Sequence, residues 1–378
     1  NYGISVLVMF AIAALYPRGR KGGVVLGVLL ALLANTNVHS VLLAGAFLVF
    51  WFLDVVREEG LRWSTSMRTL VVNAAIAAVG VILCAATVYP TFNDAAVNVQ
   101  QGGVKVLDVI KAFVLPGGAL DDLIGTDPLY LPPLLRGGVA QARLQLVGSV
   151  LLFGAALSLI RSPGAFLAAL LSLWGLSLVS VLVLHSGYRH DALWLGFVIS
   201  LHWILRSRAA APELRWPEPI AARVEPAARV GGAFLLALLA LQVEAGIHSA
   251  RDALLGPPAS QAGNFARFIA GRPDLDDAVI IADPDFMLET LPYYMANPTY
   301  LMRENRFGAI PHYTRRARLS LGLPDLLQTA QRLHAQTKRP VVIMLATPLD
   351  PKAPPTVVEE SYDWQFRVAP KDVAAFLG

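Results

Sequence analysis

The sequence predicts a polytopic α-helical membrane domain followed by a small soluble α/β domain, and three observations carry that prediction. The 378 residues are 55% hydrophobic and only 15% charged, with a mean hydropathy of +0.54. An ordinary soluble domain carries about 25% charged residues, so lipid is the expected solvent for much of this chain. Charge is also segregated: residues 1–247 hold most of the apolar runs, whereas residues 248–378 hold alternating short elements and dense charge. Finally, the apolar runs recur at close to the length a membrane-crossing helix needs, about 20 residues with a range of roughly 17–25.

Eight segments are candidates: 2–16, 23–35, 39–55, 70–90, 144–160, 164–185, 192–205 and 231–247. The stretch 23–55 reads either as one very long helix or as two shorter ones hinged at Asn35-Thr36-Asn37-Val38-His39-Ser40. The distribution of basic residues decides between them. With a hairpin, one side of the membrane receives Arg18, Arg20, Lys21, Arg57, Arg62, Arg68, Arg161, Arg206, Arg208, Arg215, Arg223 and Arg229. The opposite loops hold only Lys105, Lys111, Arg136, Arg143 and Arg189. Cytoplasmic loops carry an excess of Lys and Arg, and the hairpin obeys that rule throughout. A single helix would reverse it three times. The expected location is thus a bacterial inner membrane, crossed several times, with the C-terminal domain in the periplasm.

Composition excludes other classes. The net charge of +4 comes from arginines strewn between apolar segments rather than gathered on one face, so no nucleic-acid partner is expected. Cys84 is the single cysteine and lies inside an apolar run, which rules out an intrachain disulfide and a cysteine metal site. The chain opens at Asn1, without methionine or a signal-peptide pattern, and upstream sequence is expected to precede it.

The NTNVHS turn, the 91–143 loop, the 185–191 turn and the C-terminal domain then share the extracytoplasmic face. In the long loop, Leu107, Ile110 and Phe113 or Val114 fall on one helical face opposite Lys105, Asp108 and Lys111. This pattern fits a helix lying in the membrane interface or a packed loop helix. Polar groups at membrane depth are expensive, which singles out Asn37 and His39 at the apex of the hairpin. Their two readings are helix capping and contact with a ligand such as a phosphate, for which an imidazole is suited.

The second cluster is His185-Ser186-Gly187-Tyr188-Arg189-His190-Asp191. Here the planar guanidinium of Arg189 matches phosphate oxygens, and His185, Tyr188 and His190 stand beside it. The alternative is a snorkelling arginine with an aromatic-belt tyrosine. No carboxylate or histidine pair shows metal-ligand spacing on a helix, so no metal is expected. Asp94, Asp108, Asp121, Asp122 and Asp127 in the long loop are available as general bases, but read equally as turn residues. Glu244 belongs at the water boundary.

For the soluble domain the pattern predicts helices over 260–271, 285–295 and 323–337, and strands over 278–282, 299–302, 341–345 and near 364–368. Continuous apolar strands alternating with helices indicate a buried, mainly parallel sheet. Asp283-Pro284-Asp285 follows the first strand, where α/β folds often bind ligands, but without a glycine-rich loop it reads more simply as a helix cap. The basic stretch Arg303–Arg318 is expected to be a solvated surface, resting on anionic headgroups if it meets the membrane.

Two segments resemble the GT-C superfamily of membrane glycosyltransferases, which includes lipid A aminoarabinose transferases and protein O-mannosyltransferases. Gly27-Val28-Leu29-Leu30-Ala31-Leu32-Leu33-Ala34-Asn35-Thr36-Asn37-Val38-His39 looks like the family's leucine-rich short helix ending in a polar turn, although the family often has lysine in that turn. Tyr188-Arg189-His190 leading into Leu193–Leu205 is similar to the opening of a late membrane helix in the family. The resemblance covers about residues 1–250, by plan rather than by identity. It implies a GT-C-like fold and transfer of a sugar from a polyprenyl-phosphate donor to an extracytoplasmic glycan, lipid or protein acceptor, with no cofactor beyond the lipid-linked donor itself. The family's catalytic aspartate sits in an earlier loop, so no residue here inherits that role and the catalytic residue is unknown. A lipid-linked saccharide transporter and a non-catalytic membrane scaffold are the alternatives.

Overall fold

The computed structural model describes residues 2–88, 105–121, 138–182, 187–207, 218–256, 260–312, 316–346, 348–359 and 364–377. It divides into two units, one of described residues up to Ala250 and one from Arg251 onward.

The first unit is helical: α1 (Tyr2–Gly19), α2 (Val25–Ala34), α3 (Val38–Glu59), α4 (Thr65–Val88), α5 (Val106–Val114), α6 (Gly138–Leu157), α7 (Pro163–Leu182), α8 (Tyr188–Arg206) and α9 (Glu218–Leu255), of which the part to Ala250 belongs here. Among the described residues, five helices are long and apolar enough to cross a membrane: α1, α3, α4, α7 and α9. Each of the eight expected segments contains a helix among its described residues, but α2, with 10 residues, rises only about 15 Å, half the hydrocarbon thickness. α8 is long enough but carries Arg189, Asp191 and Arg206. The chain does break between α2 and α3. Asn37 is extended (φ −171°, ψ 165°), and its side chain caps α3 by accepting the Ser40 amide at 2.9 Å.

Contacts between helices fix their directions. At one end, Arg20 following α1 meets Asp54 and Glu58 of α3, and Ser66 of α4 bonds Glu59. Gly164 of α7 faces Leu53, Ser158 following α6 bonds His202 of α8, and Arg161 pairs with Glu225 of α9. Arg18, Arg20, Lys21, Arg57, Arg62, Arg68, Arg161, Arg206, Arg223 and Arg229 therefore gather at that end. At the other end Tyr2 meets His190, and Ser5 meets Thr36. The α2–α3 turn and the starts of α1, α3 and α8 thus lie together, opposite the basic end.

The short α2 stands beside the middle of α4. Asn73 accepts the Gly27 amide (2.5 Å) and donates to the Gly23 carbonyl (2.8 Å), while Asn35 donates to the Gly80 carbonyl (2.8 Å). Asn73 and Gly80 are each eight residues, about 12 Å, from an end of α4. Backbone groups exposed at the ends of a short helix are costly in hydrocarbon, and two asparagines answer them. Gly80 permits the approach, since a Cβ there would sit 2.5 Å from Ala31 Cα. Small residues at such contacts are the usual means of bringing membrane helices close.

The loop helix α5 is tied to α7 through the Ala112 carbonyl, which accepts from Ser177 Oγ (2.8 Å), and the Phe113 carbonyl, which accepts from Trp174 Nε1 (3.1 Å). Leu107, Ile110, Phe113 and Val114 remain exposed. Its apolar side is therefore left facing outward, as a helix in contact with lipid requires.

The second unit contains α10 (Ala262–Ala270), β1 (Val279–Asp283), β2 (Thr299–Leu301), β3 (Arg306–Phe307), β4 (Ser320–Gly322), α11 (Leu323–Thr337), β5 (Val341–Leu345), β6 (Thr356–Glu359), β7 (Gln365–Val368) and α12 (Pro370–Leu377). One sheet has the order β3-β2-β1-β5, with β1 parallel to both β2 and β5 and only β3 antiparallel. The expected strand near 364–368 is β7, and it belongs to a second sheet, β4-β7-β6, whose other two strands, Ser320–Gly322 and Thr356–Glu359, were not foreseen. The expected helix over 285–295 is instead two 3₁₀ turns, Asp285–Leu288 and Leu291–Tyr293. Pro292 lacks the amide needed to continue an α-helix through that point.

Candidate functional site

At the end of the first unit opposite the basic residues, α3 and α8 begin side by side. Asn37 and Gly187, both extended, precede the first turns, which place His39 and His190 one above the other with ring centroids 4.5 Å apart. Tyr2 completes the group: its hydroxyl is 2.7 Å from His190 Nε2, and its ring meets the imidazole edge-on at 4.9 Å. The Gly187 amide donates to His190 Nδ1 at 3.0 Å. The same Nδ1 also lies 3.3 Å from the Gly187 carbonyl, so the tautomer decides which of these bonds His190 donates.

Both histidines are buried, each 6% exposed. His39 Nε2 has no hydrogen-bond partner among the described residues. Buried polar atoms are normally satisfied, and the exceptions mark catalytic groups or sites completed by something else. Arg189 lies at the rim, exposed, with its guanidinium 5.4 Å from the centre of the Tyr2 ring. Among the described residues it forms no ion pair.

The group is recessed. Asn35 contacts α4 eight residues before its end at Val88, and Leu42 of α3 touches Gly175, seven residues before the end of α7. α4 therefore rises about 12 Å beyond Asn35, and α7 about 6 Å beyond His39, which precedes Leu42 by three residues. Two helix N-termini open into this recess. Their unsatisfied amides and aligned peptide dipoles favour an anion, and the arginine at the rim adds a full positive charge.

The residues predicted from sequence divide accordingly. His39, His190 and Arg189 come together, and Tyr188 is exposed beside them. Asn37 is occupied with structure: its oxygen caps α3 and its amide donates to Ser5 Oγ at 2.9 Å. His185 falls outside the described residues, as do Asp94, Asp122 and Asp127. Asp108 starts α5, where it accepts the Lys105 amide at 3.3 Å. Tyr2 and Ser5 were missed. Nothing local marks them, since their partners are 188 and 31 residues away in the chain.

The second unit holds a different buried constellation. Asp283, Asp285 and Arg303 are 2%, 0% and 1% exposed. Arg303 pairs with Asp283 at 2.9 Å, donates to the Arg318 and Leu319 carbonyls at 3.0 Å each, and lies 4.6 Å from the ring centre of Trp364. Asp285 accepts the Met302 and Arg303 amides at 3.2 and 3.0 Å. This corrects two expectations. Arg303 is not part of a solvated basic surface, and neither aspartate caps a helix; the three residues join β1 and the end of β2 to the segment entering β4. Burial pushes the Asp285 carboxyl up to about 7, against the two amides and the Arg303 charge that favour its ionised form. The arrangement is closed and reads as a structural clasp.

Among the described residues the chain has five helices long and apolar enough to cross a membrane, a polar group where α3 and α8 begin, and a separate α/β unit. Compared with known proteins, the chain matches no family model, no curated protein and no solved structure.

Proposed function

We propose that the recessed end of the bundle binds the phosphate of a lipid-linked sugar, and that the protein is an integral-membrane glycosyltransferase using a polyprenyl-phosphate donor. One observation carries the reading: the starts of α3 and α8 bring together His39 and His190, His39 Nε2 is buried with no partner among the described residues, and Arg189 at the rim meets no carboxylate among them. A phosphate oxygen supplies the acceptor that His39 lacks, and the Arg189 fork supplies charge at the headgroup level. The gathering of basic residues at the opposite end supports placing this site on the extracytoplasmic side of a bacterial inner membrane, where the acceptor glycan, lipid or protein would meet it.

In the reaction, an acceptor hydroxyl oxygen bonds to the anomeric carbon as the carbon–oxygen bond to the donor phosphate breaks. The electron pair leaves on phosphate, where Arg189, His39 and His190 meet the growing negative charge. The acceptor proton passes to a base that is not assigned to any residue here. A lipid-linked saccharide transporter would use the same headgroup face without that base. The half-length helix α2 favours this second reading to the extent that interrupted helices line substrate sites in transporters.

The test is binding of a polyprenyl-phosphate analogue to the full-length protein in detergent, followed by sugar transfer to an acceptor in liposomes. Arg189→Lys keeps the charge but loses the bidentate fork and should weaken binding. Arg189→Ala should weaken it further, by about 2–5 kcal/mol if the pair is desolvated. Unchanged affinity in both variants would leave Arg189 as an interfacial anchor. Binding and flipping without transfer would make the protein a transporter.

A further inference from the structure

The sheet that contains β1 has two unlike edges. Its β3 edge is two residues long and carries Arg306, and the second sheet ends on the three-residue β4 and on β6, which carries Glu359. Short strands and charges are the usual protection of a sheet edge. The β5 edge has neither, since Val341-Val342-Ile343-Met344-Leu345 is a run of apolar, mostly strand-favouring residues, each half-buried. Its side chains pack inward on both faces, Val341, Ile343 and Leu345 on one and Val342 and Met344 on the other, so what stays open is the edge itself.

Hydrogen bonds to β1 use alternate residues of β5. The Val279 amide donates to the Pro340 carbonyl at 2.8 Å and the Ala346 amide to the Asp283 carbonyl at 3.1 Å, which brackets a parallel ladder running from Val279 opposite Val341 to Asp283 opposite Leu345. In that register the backbone groups of Val342 and Met344 face β1, and those of Val341, Ile343 and Leu345 face away. Among the described residues no second strand pairs with β5, and these three outward residues make no further backbone hydrogen bond. The residue before them is satisfied: the Arg339 amide donates to Thr337 Oγ1 at 3.2 Å, and its carbonyl lies 2.7 Å from His334 Nδ1. The open row is therefore confined to β5.

That row is complementary to itself. A second β5 laid antiparallel about a two-fold axis at Ile343 sets Ile343 opposite Ile343 of the other copy, and Val341 opposite its Leu345. Directly opposed residues of this kind exchange both of their bonds, so every outward group of both strands is answered. Cross-strand neighbours are apolar on both faces, because Val342 then meets Met344. The ends match in charge as well. Lys338 before β5 is exposed and makes no ion pair among the described residues, and Asp350 after β5 is exposed, with Oδ1 accepting the Lys352 amide at 2.8 Å. The axis brings Lys338 of one copy toward Asp350 of the other.

We propose that β5 is a dimerisation edge, through which two copies of this chain join their sheets into one continuous sheet. Two-fold symmetry consumes the edge in both copies, so assembly stops at two. The interface lies within the second unit, and the inference is independent of the transferase reading.

The full chain is purified in detergent, and its protein mass is followed by light scattering over a dilution series, with hydrogen exchange of the 340–346 peptide measured at both ends of the series. The expected result is a dimer that dissociates on dilution, with exchange in that peptide accelerating as it does. Ile343→Pro removes an amide that β1 does not use, so it blocks the added strand while sparing the native ladder, and dimerisation should weaken at least tenfold. Because that change also alters the packing of the Ile343 side chain, the ends are tested separately. Lys338→Glu and Asp350→Lys should each weaken the dimer about two- to fivefold, and the double variant should restore it, with the melting temperature unchanged in all three. A monomer throughout the series with fast exchange in the edge peptide overturns the proposal and leaves β5 to a strand of another protein. A monomer in which that peptide is already protected shows the edge covered within the chain and overturns it too. So does a dimer that Ile343→Pro and both charge variants leave at full strength, which places the interface elsewhere.

Discussion

His39 and His190 meet across α3 and α8 with ring centres 4.5 Å apart and planes tilted by 42°, although 151 positions separate them in the chain. The pair is costly for the fold, since it leaves His39 Nε2 buried and unsatisfied. An orphaned buried polar group costs about 1–3 kcal/mol. His39→Phe keeps the ring and removes that cost, so thermal unfolding in detergent should show equal or higher stability. Binding of a polyprenyl-phosphate analogue should fall at least tenfold in the same variant. A variant that is less stable and binds normally would make His39 a packing residue.

Orientation is tested by labelling. The arginine-rich end is expected in the cytoplasm, so Leu61→Cys, in the exposed α3–α4 connection, should be shielded from an impermeant thiol reagent in intact spheroplasts. Lys352→Cys, exposed in the second unit, should react. The native Cys84 is buried and supplies little background. Labelling of the first position without the second would invert the topology.

The seat of α2 on α4 rests on Gly80 and Asn73. Gly80→Val forces the Ala31 backbone away and should cost about 1–3 kcal/mol, the usual penalty for overpacking. Asn73→Leu leaves the Gly27 amide and Gly23 carbonyl without their partner and should cost a similar amount. Chemical unfolding in mixed micelles measures both. Wild-type stability in the two variants would show that α2 is held by other contacts.

The clasp of the second unit makes its stability depend on pH. Asp285 holds its proton up to about 7 when folded, against 3.8 for an ordinary aspartate. Between these values the folded unit binds a proton that the unfolded chain has released. This contribution is therefore fully present below about pH 4 and is lost as pH rises through 7, with a slope of at most about 1.4 kcal/mol per pH unit. Hydrogen exchange of the peptides around β1 and β2, in the full chain and corrected for intrinsic rates, should show protection falling from pH 5 to 7.5. Asp285→Asn should flatten that profile. A profile of the same steepness in the asparagine variant would assign the pH dependence elsewhere.

The regular elements were legible where periodicity and length agree. The expected helix 323–337 and strand 341–345 are found with the same bounds, and the hinge at Asn35–Asn37 is real. What local pattern does not contain is partnership. Arg303 sits in a basic stretch, and only the folding of the segment after β2 against Trp364 takes it into the interior. Tyr2 reads as the first residue of an apolar run, and becomes part of the site because α1 lies alongside α8. Likewise, a run of 13 candidate residues at 23–35 looked adequate for a crossing, but the glycines at 22 and 23 and the turn at Asn35 trim the helix to ten.

That trimming has a consequence for how the protein is made. Ten residues are too few to hold a place across a bilayer alone, and the side chains that seat α2, Asn73 above all, are synthesised 46 residues after Gly27. The seat of α2 is therefore completed only after α4 has been made, so the order of the chain places the short helix before the residues that hold it.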